Sequence, residues 1–411
     1  MSTTNELNKE NEKVLKAMAA AAFLVFFSGY MVAPLIPALS HEFSATERQI
    51  GWIVPAYMLP YGFSTLFYGP LSDRFGRKTV LLVLLALAIF TTSLISLAWS
   101  AQSLIVMRMI AGFSAGGIVT VGLAVVGDLY PYGKLGRAMG WMFGAIAGGM
   151  AFGATFGAWL NPYLGWRKEF MILAAVNAVI FILLFKHRHL LSGSSQTHPI
   201  KVNDVARAYV SLLKTSRGSK AYSFIFLNGL FHGGVFSWLG FYLSQRYHLS
   251  DEGIGKALLG YGIPGMILGP ILGRLADRFG RGLIIPLGFF VAAACAFLLV
   301  PVSPLWMVTI VVTSLSIGLD MTHPLMAGIV AALDPKRRGQ AMGLNGFALF
   351  TGLGFGAVIF QFLLAKGFPF TLTVFGATQL GLGLLAFKAF QFERVATPSN
   401  KPDRLVMQPE R

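Results

Sequence analysis

Seventeen acidic residues occur in the chain, and only Asp320 stands near the middle of a long apolar run. His323 follows three positions later, on the same face if that run is helical, and Pro324 would loosen the helix locally. A carboxylate and an imidazole held in a low-dielectric cavity can exchange protons near neutral pH. Such a pair suits coupling to a proton gradient, binding of a cationic substrate, or a structural pairing with a buried base. Arg108 sits just inside the end of another apolar run, where an arginine either lines a cavity or snorkels to the interface. Asn228 and His232, one turn apart, share a face of a third run; they bond between helices or line a cavity. Tyr57 and Tyr261 are candidates of the same kind.

These residues need elements to hold them. Only 12% of the 411 residues are charged and 55% are hydrophobic, whereas a soluble domain carries about 25% charged residues. So few charges cannot cover a water-facing surface of this size. Apolar stretches near the length that spans a bilayer as a helix, about 20 residues, occur at 17–38, 50–71, 79–99, 103–127, 138–160 and 169–186. After a polar interval they resume at 222–244, 254–275, 283–301, 305–332, 341–364 and 370–391. The expected fold is an all-α membrane protein of twelve transmembrane helices. The 47 glycines suit closely packed membrane helices.

The net charge of +16 does not mark a nucleic-acid binder, because the basic residues form no single patch. They lie in short segments between the runs. One set of segments, on the side of both chain ends, holds 26 of the 33 Lys and Arg residues; the other holds six, and Arg108 is within a run. An excess of Lys and Arg marks the cytoplasmic side, so both termini are expected there, in an inner (plasma) membrane. The lone Cys295 offers neither a disulfide nor a cysteine metal site, and no removable signal peptide is expected. The domain plan is a cytoplasmic tail at 1–16, a helical bundle at 17–186, a linker at 187–220, a second bundle at 221–391 and a tail at 392–411. In the linker, Val202, Val205, Tyr209, Leu212 and Leu213 recur at helical spacing beside basic residues. That pattern reads as an amphipathic helix on the membrane surface or as an unstructured connection.

The two halves repeat in register. Gly51, Tyr57, Pro60, Gly69 and Asp73-Arg74-Phe75-Gly76-Arg77 return 204 residues later as Gly255, Tyr261, Pro264, Gly273 and Asp277-Arg278-Phe279-Gly280-Arg281. Gly136, Ala138, Met139 and Gly140 return at Gly339, Ala341, Met342 and Gly343. Two pseudo-symmetric six-helix bundles with a substrate site between them are therefore expected. The segment Gly69 to Lys78 resembles the signature loop of the major facilitator superfamily, and Gly273 to Arg281 resembles its second copy. Arg108 with Gly112 is similar to the fourth-helix motif, with Ala111 where the family has Gln. Gly144, Gly148, Gly149, Gly153 and Gly157 are similar to the fifth-helix motif of the twelve-helix drug:proton antiporters, with Ala154 in place of its Pro.

The resemblance implies a secondary active transporter that works by alternating access, with export favoured over uptake. It implies a conformational latch of Asp73, Arg77 and Asp128, with Asp277 and Arg281 as second-half counterparts, in which the signature Asp caps a helix of the other half. Because Ala331 takes the place corresponding to Asp128, the latch is expected to be asymmetric. The resemblance also pairs Gly149, Gly153 and Gly157 with Gly265 and Gly269 across the bundle interface; the alternative is ordinary close packing inside one bundle. The expected partners are a small-molecule substrate, protons and membrane lipids, with the chain a monomer. No cofactor, metal site or nucleic-acid partner is expected. Proton-coupled uptake of a sugar or metabolite, or a non-transporting sensor, are the alternatives. The absence of a phosphate-cradling loop, a His-Glu-x-x-His pair or a Gly-x-Ser-x-Gly elbow speaks against a pump or an enzyme.

Overall fold

The computed structural model describes residues 2–130, 132–191, 202–334 and 337–393. All their regular structure is helical. Before the linker come α1 (Ser2–Tyr30), α2 (Ile36–Glu42), α3 (Glu47–Ile50), α4 (Pro55–Phe75), α5 (Arg77–Ile95), α6 (Ala101–Leu129), α7 (Tyr132–Leu164) and α8 (Trp166–Lys186). The linker supplies α9 (Val202–Lys214). Then follow α10 (Ser216–Tyr247), α11 (Asp251–Leu258), α12 (Ile263–Phe279), α13 (Arg281–Leu298), α14 (Leu305–Ala331), α15 (Arg338–Leu364) and α16 (Phe368–Ala389).

Ten helices among the described residues are long and apolar enough to cross a bilayer. The two expected spans outside that set are the second and the eighth, which carry the repeated loop motif. α4 contains Pro60 and Pro70 together with the Asp73-Arg74 pair, which lowers its mean hydropathy. The eighth span, expected to be continuous over 254–275, is broken into α11 and α12. Gly262 turns the chain there at φ +84°, a conformation open to glycine, and Pro264 starts the next helix without needing a backbone donor. Large apolar side chains such as Phe67, Phe90, Trp99, Ile182, Leu384 and Leu385 are more than half exposed. An exposed apolar surface on that scale belongs in lipid.

Two helix boundaries fall differently from the sequence reading. Residues 2–16, expected as a tail, continue α1; Glu12 there accepts a hydrogen bond from the Tyr130 hydroxyl at 3.0 Å and pairs with Arg137. The seventh span begins at Ser216, capped by the Thr215 side chain, so the linker helix ends at Lys214. Residues 394–411 lie outside the described part.

Packing follows the repeat. Within the first half α1 meets α7, α4 meets α6, and α5 meets α6 and α8; within the second, α10 meets α15, α12 meets α14, and α13 meets α14 and α16. Across the halves α4 lies along α15, and α7 along α11 and α12. The glycine row of α7, however, does not face the interface. Cβ atoms added at Gly149 and Gly153 would strike Phe23 and Phe27 of α1, and one at Gly157 would strike Met31 just beyond its end. The repeat shows why: 203 residues on, Gly352 and Gly356 of α15 press in the same way against Phe226 and Leu230 of α10. Small residues let helix axes approach, and here they close each half. The seam between halves uses Gly255 against Thr155 and Trp159, and Gly262 against Ala151. The surroundings of Gly265 and Gly269 lie outside the described contacts.

Candidate functional site

Four helices of the second half converge on a polar cluster with almost no access to solvent. The Asn228 amide on α10 donates to the Thr322 hydroxyl on α14 at 2.8 Å, and Gln379 on α16 donates to the Asn228 carbonyl oxygen at 3.0 Å. Asn228, Thr322 and Gln379 are fully buried. His323 meets the Asn345 amide of α15 at 3.5 Å and lies within electrostatic range of His232. His232 is buried, and neither ring nitrogen has a hydrogen-bond partner. Buried polar groups are ordinarily satisfied, so an imidazole with two idle nitrogens is unusual in a finished core.

Asp320 is half-buried on α14 and keeps one enclosed carboxylate oxygen without a partner. No ion pair joins it to His323. Tyr261, at the break between α11 and α12, lies within electrostatic range of it. A broken span bares helix ends at membrane depth, which is tolerated where a cavity is lined. The Tyr261 ring packs on Phe236 at 4.7 Å, and Phe236 on Tyr30 of α1 at 4.8 Å. The carboxylate thus adjoins an aromatic row that crosses from one half to the other. Thr322, Asn345 and Gln379 were not singled out from the sequence. Asn345 and Gln379 stand in apolar runs and Thr322 beside the more conspicuous Asp320 and His323; only their meeting in space marks them.

The first half is arranged differently. Arg108 is completely buried and does not snorkel. Its guanidinium donates to the carbonyl oxygens of Ser28 at 2.9 Å, Gly29 at 3.2 Å and Ile53 at 3.4 Å, and it lies 4.2 Å from the centre of the Tyr57 ring. Ser28 and Gly29 end α1, where the last carbonyls lack helical partners and the helix dipole favours a cation. Tyr57 donates in turn to the Val25 carbonyl oxygen at 2.9 Å. Beside them is a cavity of about 20 Å³ lined by Ser28, Thr91, Thr92, Ser114 and Asn177, space for about one water. The repeat-related tyrosines therefore have different neighbours: Tyr57 lies against the Arg108 guanidinium, and Tyr261 packs on Phe236 within electrostatic range of Asp320.

The sequence profile of the Major Facilitator Superfamily matches residues 18–357, with a second match over 221–408. The chain belongs to the major facilitator superfamily. It is 30% identical over 345 residues to the uncharacterized MFS-type transporter YceJ of Bacillus subtilis (strain 168), covering 83% of this chain and 86% of that one. The efflux pump dotC of Dothistroma septosporum is 29% identical over 67% of this chain and 44% of its own. The crystal structure of the human organic anion transporter MFSD10 (TETRAN) superposes with a TM-score of 0.70 at 18% identity, over 93% of this chain and 99% of that one.

The superfamily's signature loop lies on the side rich in basic residues. Arg77 pairs with Asp128 and with Asp73, the latter at 3.6 Å, and donates to the Ala124 carbonyl oxygen at 2.6 Å. All these partners belong to the first half. Among the described residues no hydrogen bond from Asp73 reaches α15. In the second half Arg281 lies against Gly328, 204 residues beyond Ala124, so the basic residue keeps its station while Ala331 offers no carboxylate. The Asp277 side chain lies outside the described part. On this side the halves are joined by Thr65, which donates to the Gly343 carbonyl oxygen at 2.9 Å. On the opposite side Gln361 donates to the Arg48 carbonyl oxygen at 2.9 Å, and Asn161 to Asp251 at 2.7 Å.

Proposed function

We propose that this major facilitator transporter is an inner-membrane antiporter with cytoplasmic termini that exports a small, lipophilic or cationic molecule in exchange for protons. The observation that carries the reading is the position of Asp320: a mid-span carboxylate with an idle enclosed oxygen, within electrostatic range of Tyr261 at the break in the eighth span. Ionisable groups at that depth are costly and are retained where they serve a pathway. The aromatic row of Tyr261, Phe236 and Tyr30 supports an apolar substrate, and the relative named an efflux pump supports export. His232, His323 and Asn228 supply further polar contacts on the second-half wall, and Arg108 with Tyr57 holds the first-half wall in place. Asp73, Arg77 and Asp128 act as the latch on the cytoplasmic side.

The test is flux in proteoliposomes containing the purified protein, screened with a compound panel with and without an imposed pH gradient. Export that accelerates with the gradient supports the proposal. Flux indifferent to the gradient removes proton coupling, and accumulation in the direction of proton flow replaces antiport with uptake.

A further inference from the structure

The linker helix α9 has two faces with different duties. Ala208 and Leu212 are buried, and Tyr209 donates to the Leu66 carbonyl oxygen of α4 at 2.8 Å. Arg337, just before α15, donates to the Ser211 hydroxyl at 3.0 Å. α9 is thus tied to both halves, beside the seam where Thr65 bonds to Gly343. Its other face is unpartnered. Val210 and Leu213 are 48% and 43% exposed, and they stand among exposed Arg207 and Lys214. Ala206, Arg207, Val210, Ser211 and Lys214 line a shallow, open hollow along this face. It therefore combines two cations with an apolar wall.

Charge and position select the occupant. Asp204 is the single acid between 202 and 220, against Arg207, Lys214, Arg217 and Lys220. Asp204 pairs with Arg207 at 3.5 Å, and Arg217 pairs with Glu393; among the described residues no carboxylate pairs with Lys214, and the Arg207 pair is exposed to solvent. The level of α9 is that of Leu66, next to Phe67, which is 58% exposed on the lipid-facing surface of α4. A soluble anion would leave Val210 and Leu213 wet. A protein partner needs roughly 800 Å² on its side, far more than two apolar side chains provide. A phospholipid offers an anion and an acyl chain together.

We propose that this hollow seats the head group of an anionic phospholipid, and that the seated lipid holds α9 against the α4–α15 seam. The inference does not depend on which solute is moved or on proton coupling. It concerns how the bilayer's charge reaches the joint between the halves.

The test uses the full chain carrying Leu213→Cys with an environment-sensitive fluorophore, reconstituted in phosphatidylcholine vesicles with increasing phosphatidylglycerol. The expected result is a saturable blue shift that depends on phosphatidylglycerol. Arg207→Gln with Lys214→Gln, both on the exposed face, should raise the half-saturating phosphatidylglycerol fraction on the order of tenfold, since each basic residue near a charged leaflet contributes roughly a fivefold preference. Tyr209→Phe keeps both cations and should retain the lipid response while loosening α9, read as faster thiol labelling at a Ser211→Cys position. Three results would overturn the proposal: an equal shift in pure phosphatidylcholine, an unchanged response in the double glutamine variant, or the same shift from inorganic phosphate in detergent.

Discussion

Asp320 and His323, one turn apart on α14, face different neighbours. The carboxylate is within electrostatic range of Tyr261 at the break in the eighth span, while the imidazole meets the Asn345 amide at 3.5 Å and is within range of His232. They do not form the ion pair that their spacing allows. A carboxylate left free of its neighbouring base can take and release a proton as the surroundings change. Asp320→Asn keeps the shape and removes the proton site. It should reduce pH-gradient-driven flux by about a hundredfold, the scale on which removing a proton-transfer group acts, while the protein stays folded by circular dichroism. Flux that still follows the gradient would exclude Asp320 from coupling.

Arg77 is the hub of the charged cluster, with Asp73 and Asp128 on either side and the Ala124 carbonyl oxygen below. Partly exposed pairs contribute little singly, about 1 kcal/mol or less, but Arg77→Gln removes all three contacts together. The variant should shift the populations open on each side by up to about tenfold toward the state open on the basic side. Distance distributions between spin labels on α5 and α13 report this. Asp128→Asn, which spares the Asp73 contact, should shift them less. Equal distributions in all three proteins would show that the cluster fixes loop shape only.

Arg108 tests a different principle. Its planar fork reaches three carbonyl groups at once, which a lysine ammonium on a flexible stem does not reproduce. Arg108→Lys should therefore destabilise the first half by roughly 1–3 kcal/mol, the cost of unsatisfied buried groups, seen as a lower unfolding midpoint. A lysine variant of normal stability and normal flux would mean that the carbonyl contacts are incidental.

Much of this architecture was legible in the sequence because its causes are local. The all-helical membrane character and the repeat of the two halves need only composition and order. The break at Gly262 was missed because the middle of the run 254–275, between Lys256 and Arg274, carries no charge, and a positive φ at one glycine leaves no trace in hydropathy. The polar cluster was half legible. Asn228 and His232 share a face of one helix and could be paired on paper, whereas Thr322, Asn345 and Gln379 are brought to them by tertiary packing. The glycine row shows the reverse failure, since the spacing announced close approach without saying to which helix. The second glycine row, Gly352 and Gly356, was the signal that would have answered the question.

Tyr209 gives a prediction with a pH sign. Its hydroxyl must be protonated to donate to Leu66, and burial pushes its pKa up to about 12, above the ordinary value near 10. The contact is accordingly intact below about pH 10 and is lost as the pH rises through about 12. Attachment of α9, measured by thiol labelling of Ser211→Cys, should be constant from acid through pH 9. Tyr209→Phe should raise labelling about fivefold, the equivalent of one net hydrogen bond. Because only the thiolate reacts, the rate is divided by that of an exposed reference thiol at the same pH; a ratio that changes between pH 5 and pH 8 would place the controlling group elsewhere.

Gly153 and Gly144, nine residues apart on α7, separate packing from mere composition. A Cβ at Gly153 would come within 2.6 Å of the Phe27 carbonyl oxygen and 2.9 Å of its Cα, whereas one at Gly144 would meet nothing within 4 Å. The neighbour at Gly153 is helix backbone, which cannot rotate aside as a side chain can. Gly153→Ala must therefore push α1 away from α7, at an expected cost of about 1–3 kcal/mol. Gly144→Ala should be neutral or slightly stabilising, because alanine is the better helix former. Since the strained contact lies inside the first half, Gly153→Ala should lower the unfolding midpoint without changing distances between labels that span the two halves. If those distances change and the midpoint does not, the glycine row belongs to the moving interface after all, and the assignment to α1 is wrong.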